Sequence, residues 1–350
     1  MQVGIVWAAL ILGIIIMIHE LGHFLFAKLN GIEVLEFSLG MGPKLFSFTR
    51  GGTCYALKIL PFGGSCMMAE DEVSDNPRSF TNASVWARIS VVAAGPVFNF
   101  LLAFLLSLIL VGMAGYATPV VKGIIPGMPA ETAGLKEGDV IREINGRNIH
   151  SFDDVIAYIF THPGRELDLC WQRPAEDGTM KDMEASLLPV YSAEDGGYLM
   201  GVQFDASRTP VSGPIRLMIQ GIYEVEYWIR YVFDSLSMMI GGMVSMDDIS
   251  GPVGIVNTID ETVEQVAPAG AVAVFLTLLQ LCVLLSANLG VMNLLPIPAL
   301  DGGRLVFLAL EAVRGKPIDK EKEGMVHMAG MAVLMAFMVF ILFNDVRKLL

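Results

Sequence analysis

The chain has 350 residues, 54% of them hydrophobic, with 23 Lys and Arg against 36 Asp and Glu and a formal net charge of −13. That apolar fraction is too high for an ordinary soluble domain, and the acidic balance argues against a nucleic-acid partner. Cys54, Cys66, Cys170 and Cys282 share no C-x-x-C spacing, so they indicate neither a disulfide framework nor a cysteine zinc site.

The first predicted element is an apolar span over Val3–Leu29, long enough to cross a bilayer. It exceeds a signal-peptide core and ends without a small-residue cleavage site, so it is read as retained. At its end stands His19-Glu20-Leu21-Gly22-His23. On a helix, residues four apart share a face, so His19 and His23 can hold one Zn²⁺ together while Glu20 stands ready as a general base toward water. Chance would give this motif about 0.004 times in a chain with this His and Glu content. Ionisable groups in a span also cost roughly 2.5–3.5 kcal/mol each near its centre, which argues against an idle placement.

Next, Gly51–Met68 predicts a β-hairpin: Cys54–Leu60 is β-compatible and is bounded by Gly51-Gly52 before it and by Pro61, Gly63 and Gly64 after it. It is either a soluble cytoplasmic hairpin or a platform to which an extended segment adds as a strand. A second span follows at Val85–Gly115. Val120–Phe204 then changes composition, with short β-type runs, Gly-Asp and Asn-Gly turns and one predicted helix at Phe152–Phe160. From Ile215 to Ile240 apolar residues recur at helical spacing around Tyr223, Tyr227, Trp228 and Tyr231, which predicts an amphipathic helix at a membrane interface or a plain packing helix. The third and fourth spans are Ala269–Leu295 and Met325–Phe343. Met325, Met328, Met331, Met335 and Met338 along the fourth read as packing.

Six Lys and Arg lie between Lys28 and Arg88, five between Arg304 and Lys322, and none precedes the first span. The positive-inside rule therefore places those loops in the cytoplasm and the N-terminus, residues 118–265 and the C-terminus outside. The outer segment holds ten basic and 23 acidic residues, so the net negative charge resides there.

A catalytic zinc site has three protein ligands and an open position. Asp301, after the third span and on the cytoplasmic side with His19 and His23, meets the requirement for the third. It ends the run Asn293-Leu294-Leu295-Pro296-Ile297-Pro298-Ala299-Leu300-Asp301, followed by Gly302-Gly303. The prolines prevent a regular helix and the glycines permit unusual backbone angles, so this is expected as non-helical backbone at membrane depth. The competing reading is a helix end with a capping Asp. His327 is a weaker ligand candidate, because His19, His23 and Asp301 already complete a set; His150 and His162 fall in the outer segment.

His19–His23 together with Asn293–Gly302 resembles the site-2 protease family of intramembrane zinc metalloproteases, in its bacterial RseP-like branch. Gly95-Pro96-Val97-Phe98-Asn99, Gly251-Pro252-Val253-Gly254-Ile255 and Arg314-Gly315-Lys316-Pro317 extend the resemblance over nearly the whole chain. It implies that His19, His23 and Asp301 ligate one zinc per chain, that Glu20 is the catalytic base, and that Asn293 holds substrate with Asn99 and Gly95 lining the cleft. It further implies a membrane re-entrant β-loop. In relatives that loop reads G-G-Y-V-K-M; Gly63-Gly64-Ser65-Cys66-Met67-Met68 here lacks the tyrosine and lysine. The run Gly134-Leu135-Lys136-Glu137-Gly138-Asp139-Val140-Ile141 with Ile144-Asn145-Gly146 resembles a PDZ domain in circularly permuted bacterial form.

The expected fold is thus a polytopic α-helical membrane protein of four transmembrane helices, with a membrane-associated β-hairpin or re-entrant loop and an inserted extracytoplasmic PDZ domain of α+β type. The expected domains are 1–116 (two spans, the histidine motif and the β segment), 117–206 (PDZ), 207–265 (amphipathic helix and linker) and 266–350 (two spans and the Asp301 motif). The expected place is the bacterial cytoplasmic membrane, and the expected partners are single-pass membrane-protein substrates, membrane lipid and a peptide or substrate ectodomain at the PDZ domain. Two rivals remain: a membrane metalloprotease with a downstream Glu ligand acting outside the bilayer, and a non-catalytic PDZ scaffold.

Overall fold

Helix α1 (Gln2–Leu29) opens the chain in a computed structural model that describes residues 2–69, 76–205, 207–244 and 250–349. Gly31, with φ of 70°, turns the chain into two long strands, β1 (Val34–Arg50) and β2 (Thr53–Met68). Both strands bend, so two segments fold into a sheet four lanes wide. Residues 44–50 pair back on 53–58 across the Gly51-Gly52 turn, while Glu36 stands opposite both Cys54 and Met67, and Leu39 opposite both Leu57 and Gly64. The hairpin therefore begins at Val34, well before the predicted Gly51. Phe24 of α1 packs its ring against that of Phe37 with centroids 5.1 Å apart and so fixes the sheet to the helix. Met41, Leu45, Phe46, Phe48, Ile59 and Leu60 are left exposed at the sheet's far end. Helix α2 (Val85–Ala114) follows, with Pro96 in its interior.

Residues 107–244 form one compact unit. Its elements are β3 (Val121–Ile124), α3 (Pro129–Thr132), β4 (Val140–Ile144), β5 (Arg147–Asn148), α4 (Phe152–Thr161), β6 (Leu167–Pro174), β7 (Met180–Leu187), β8 (Val190–Ser192), β9 (Gly197–Leu199), β10 (Val202–Phe204) and α5 (Pro214–Ile240). The main sheet has the order β5-β4-β6-β7, with β10-β3 and β8-β9 as separate pairs. Asn145 and Gly146, at φ of 49° and 78°, make the tight turn their sequence announces. Ser151 and Asp154 start α4 with a reciprocal capping box. Val121, Ile141, Ile144, Val155, Leu167 and Trp171 lie at the centre of the core. The backbones of Tyr116 and Thr209 pair in both directions, at 3.1 and 2.8 Å, which closes the two ends of the segment on each other. Helix α5 buries Trp228 and Val232 while exposing Ile215, Met218, Ile219, Ile222, Phe233 and Ile240.

The remaining described residues form the second unit. Beyond the segment just described it contains α6 (Pro252–Val266), α7 (Ala271–Leu294), α8 (Asp301–Arg314) and α9 (Lys320–Leu349). The buried Asp345 carboxylate of α9 accepts from the Gly251 and Gly254 amides at 3.0 and 2.9 Å, so it caps α6 from another helix. Helix α7 buries Leu279, Val283, Ser286, Ala287, Gly290 and Val291, a stripe of helical period. Four helices are long and apolar enough to cross a membrane, at Gly4–Leu29, Val85–Ala114, Ala271–Leu294 and Glu321–Lys348.

The backbone around Asp301 differs from its expectation. Only the short stretch through Pro296 and Pro298 is irregular, and Asp301 is the first residue of the regular helix α8. Its one left-handed residue is Ala299, at φ of 78°, while Gly302 and Gly303 lie inside the helix. Their small size serves packing: a Cβ on Gly302 would sit 2.5 Å from the Leu294 carbonyl carbon, and one on Gly303 3.0 Å from that of Ile297.

Candidate metal centre

Helix α1 presents His19 and His23 on one face, each 8% exposed. Their Nε2 atoms lie 3.1 Å apart, and both meet Asp301 Oδ2 from α8, at 3.2 Å from His19 and 3.4 Å from His23. Zinc bonds of about 2.0–2.1 Å in tetrahedral geometry put neighbouring ligand atoms about 3.3 Å apart. The three measured separations therefore match one face of such a tetrahedron. Asp301 Oδ2 is a buried atom without a hydrogen-bond donor, as an oxygen reserved for a cation would be. Among the described residues, this is the one group of His, Cys, Asp and Glu that converges closely enough to hold a metal ion.

One face of α2 forms the wall behind the imidazoles, through residues 91, 95 and 99 at successive turns. His23 Nδ1 donates to the Val91 carbonyl at 2.8 Å, which leaves the neutral ring's Nε2 lone pair free. Gly95 supplies space: a Cβ there would lie 2.5 Å from His23 Cε1 and 2.8 Å from His19 Cε1. The Asn99 amide stands 3.2 Å from His19 Nδ1, and its backbone carbonyl accepts from Ser286 Oγ of α7 at 2.8 Å. On α1, Gly22 returns the fit, since a Cβ there would meet the Ala94 carbonyl carbon at 2.8 Å. Glycines on both helices thus allow backbone approach at the level of the two histidines.

Glu20 faces β2. Gly64 is so close that a Cβ would lie 2.9 Å from Glu20 Cγ, and the Cys66 amide faces the Glu20 carboxylate. Asn293, near the end of α7, is half-buried. Asn99 and Gly95, expected to line a substrate cleft, both stand directly against the histidine rings. His327 is outside the three-residue group: its Nδ1 accepts from the Ala299 amide at 2.9 Å, and Gly330 one turn on would carry a Cβ 2.8 Å from the Pro298 carbonyl oxygen. His150 stacks on Tyr223 and His162 on Tyr158, both within the 107–244 unit. Sequence reading missed Val91 and Gly22, and it missed the hold of α9 on the Pro298–Ala299 turn. A carbonyl has no sequence signature, although the glycine inside the histidine motif was a visible sign of close packing.

Two buried histidines on a helix of spanning length, met by the carboxylate of Asp301 at the start of α8, define a membrane metallohydrolase. The chain belongs to peptidase family M50, the site-2 protease family of zinc metalloproteases, which it matches over residues 7–337. It is 40% identical over 347 residues to a Clostridium acetobutylicum protein provisionally named a zinc metalloprotease, with 98% of this chain and 97% of that one covered. It is 31% identical to the zinc metalloprotease RasP of Geobacillus kaustophilus, covering 97% of this chain and 96% of the relative. It is likewise 31% identical to the regulator of sigma-W protease RasP of Bacillus subtilis, covering 97% of each.

Proposed function

We propose that this chain is an intramembrane zinc endopeptidase that cuts single-pass membrane proteins within or beside their transmembrane segment. The observation that carries the reading is the meeting of His19, His23 and Asp301 within 3.4 Å of one another, beside Glu20, with both histidines on a helix of spanning length and Asp301 at the start of the short helix α8. His19, His23 and Asp301 hold the zinc. The bound ion supplies Lewis-acid polarisation of the scissile carbonyl and acidifies water. Glu20 takes a proton from the attacking water as its oxygen bonds to the carbonyl carbon, then gives that proton to the leaving amine nitrogen as the C–N bond breaks. The backbone amide of Cys66 faces the Glu20 carboxylate and favours this orientation.

A peptide bond inside a helix is inaccessible, so the substrate must unwind locally. The Gly64–Met68 edge of the sheet, next to Glu20, offers replacement backbone hydrogen bonds by strand addition, and the Asn293 amide helps hold the unwound segment. Exposed Phe46, Phe48, Leu57 and Leu60 favour the re-entrant, lipid-contacting form of the hairpin over a soluble one. Residues 117–206 serve as a PDZ domain that limits access by substrate ectodomains, and α5 lies along the outer interface. The positive-inside charge pattern supports a topology with this unit and both termini outside the bacterial cytoplasmic membrane and the metal centre toward the cytoplasm.

The test is Glu20→Gln in the full chain. Zinc content stays near one per chain while cleavage of a reporter transmembrane substrate is lost. Turnover above a few per cent of wild type removes Glu20 from the role of base, and loss of zinc makes it a ligand.

A further inference from the structure

The amide of Asn99 points to a task other than holding substrate. Asn99 is fully buried, its side chain stands 3.2 Å from His19 Nδ1, and its Oδ1 has no hydrogen-bond partner. His19 directs its other ring nitrogen, Nε2, at Asp301 Oδ2 and His23 Nε2. On the ligand reading proposed above, Nε2 must present a lone pair, so the neutral ring carries its hydrogen on Nδ1. A hydrogen there cannot face the Asn99 NH₂, which is itself a donor. Rotating the amide by half a turn puts Oδ1 opposite Nδ1, and oxygen and nitrogen of an amide are interchangeable placements. No other described group bonds Oδ1 and resists that rotation.

We infer that Asn99 is the positioning residue for His19, accepting its Nδ1 hydrogen through Oδ1 and so fixing both tautomer and ring plane. Val91 performs the same task for His23 through its carbonyl, two turns earlier on the same face of α2. The Ser286 hydroxyl on the Asn99 carbonyl, at 2.8 Å, locks that turn of α2 against α7. One helix that carries no ligand therefore sets the orientation of both histidine ligands. Outer partners of this kind raise ligand basicity, and their loss costs roughly 10–100-fold in metal affinity.

The test measures zinc affinity of the full-length protein in detergent by chelator competition, for wild type, Asn99→Leu and Asn99→Asp. Leucine keeps the volume and removes the acceptor; aspartate is an acceptor only. Zinc binds about 10–100-fold more weakly to N99L, while N99D stays within about threefold of wild type or binds more tightly. A packing role predicts that both substitutions weaken binding, and a donor role makes N99D the worse of the two; either overturns the inference. The Nδ1 hydrogen of the His19 ring in ¹⁵N-histidine-labelled, zinc-loaded wild type gives a second reading that needs no variant to fold: a downfield, exchange-protected hydrogen, as a bond to an acceptor requires, supports the inference, and an upfield, unbonded one overturns it. A wild-type chain that takes up no zinc overturns the ligand reading itself, whereas a zinc-binding wild type matched by N99L overturns only the role of Asn99.

Discussion

Gly95 has no side chain, and two imidazole rings fill the room so left. A methyl there would enter the van der Waals shell of His23 Cε1, 2.5 Å away, and of His19 Cε1, 2.8 Å away. Neither ring can retreat without losing its alignment on Asp301. Overpacking of this kind costs about 1–3 kcal/mol, so Gly95→Ala is expected to weaken zinc by roughly five- to 150-fold and to lower turnover with it. Gly112→Ala on the same helix is the control, because its Cβ would stand at an ordinary 3.7 Å from Leu217 Cδ1. Glycine-to-alanine in a helix interior stabilises by roughly 0.5–1 kcal/mol, so that variant should keep zinc and melt no lower than wild type. Chelator competition and thermal unfolding on both proteins check this, and a G95A protein binding zinc like wild type would show that the rings have slack.

At the scale of elements, what was legible depended on whether the signal was local. Four runs of twenty or more largely apolar residues announce helices long and apolar enough to span a membrane, and α4 is announced by Ser151 and Asp154 at capping-box spacing. The first strand was not legible. From residue 41 to 50 its side chains are exposed on both faces, so no alternation of period two marks it, and it bends at Gly40 and Gly42, at φ of 87° and 88°. Helix α8 was hidden for a different reason. Gly302-Gly303 after two prolines reads as a break, yet α8 needs those glycines because its first turn lies on the Leu294 and Ile297 carbonyls. The same tertiary logic governs the Pro298–Ala299 turn, which α9 holds through the His327 side chain and the close approach of Gly330. Spacing identifies His19, Glu20 and His23, and topology adds Asp301. The α2 wall of Val91, Gly95 and Asn99 exists only once the helices cross.

For the molecule as a whole, orientation and division of labour can be tested separately. In a background without Cys54, Cys66, Cys170 and Cys282, a cysteine at Lys316 is expected to resist a membrane-impermeant reagent in intact cells, while one at the exposed Glu176 reacts. Labelling at 316 alone would invert the topology. The division of labour rests on the two compact units: His19, Glu20, His23, Asn99 and Asp301 all belong to the one outside residues 107–244, whose insert has a hydrophobic core of its own. Because Tyr116 and Thr209 already pair, Val120–Phe204 can be excised and replaced by a short linker without stretching the chain that remains. The variant is expected to bind zinc as wild type does and to cut a short transmembrane peptide at a comparable rate. It should also accept substrates with large ectodomains that the intact protein rejects, since a domain holding none of the ligands can govern access but not bond breaking. Zinc uptake, peptide cleavage and cleavage of a bulky-ectodomain substrate would be compared on one preparation. A variant that binds zinc yet leaves the short peptide uncut would mean that the insert is needed to assemble the active core, and the role of access filter would have to be given up.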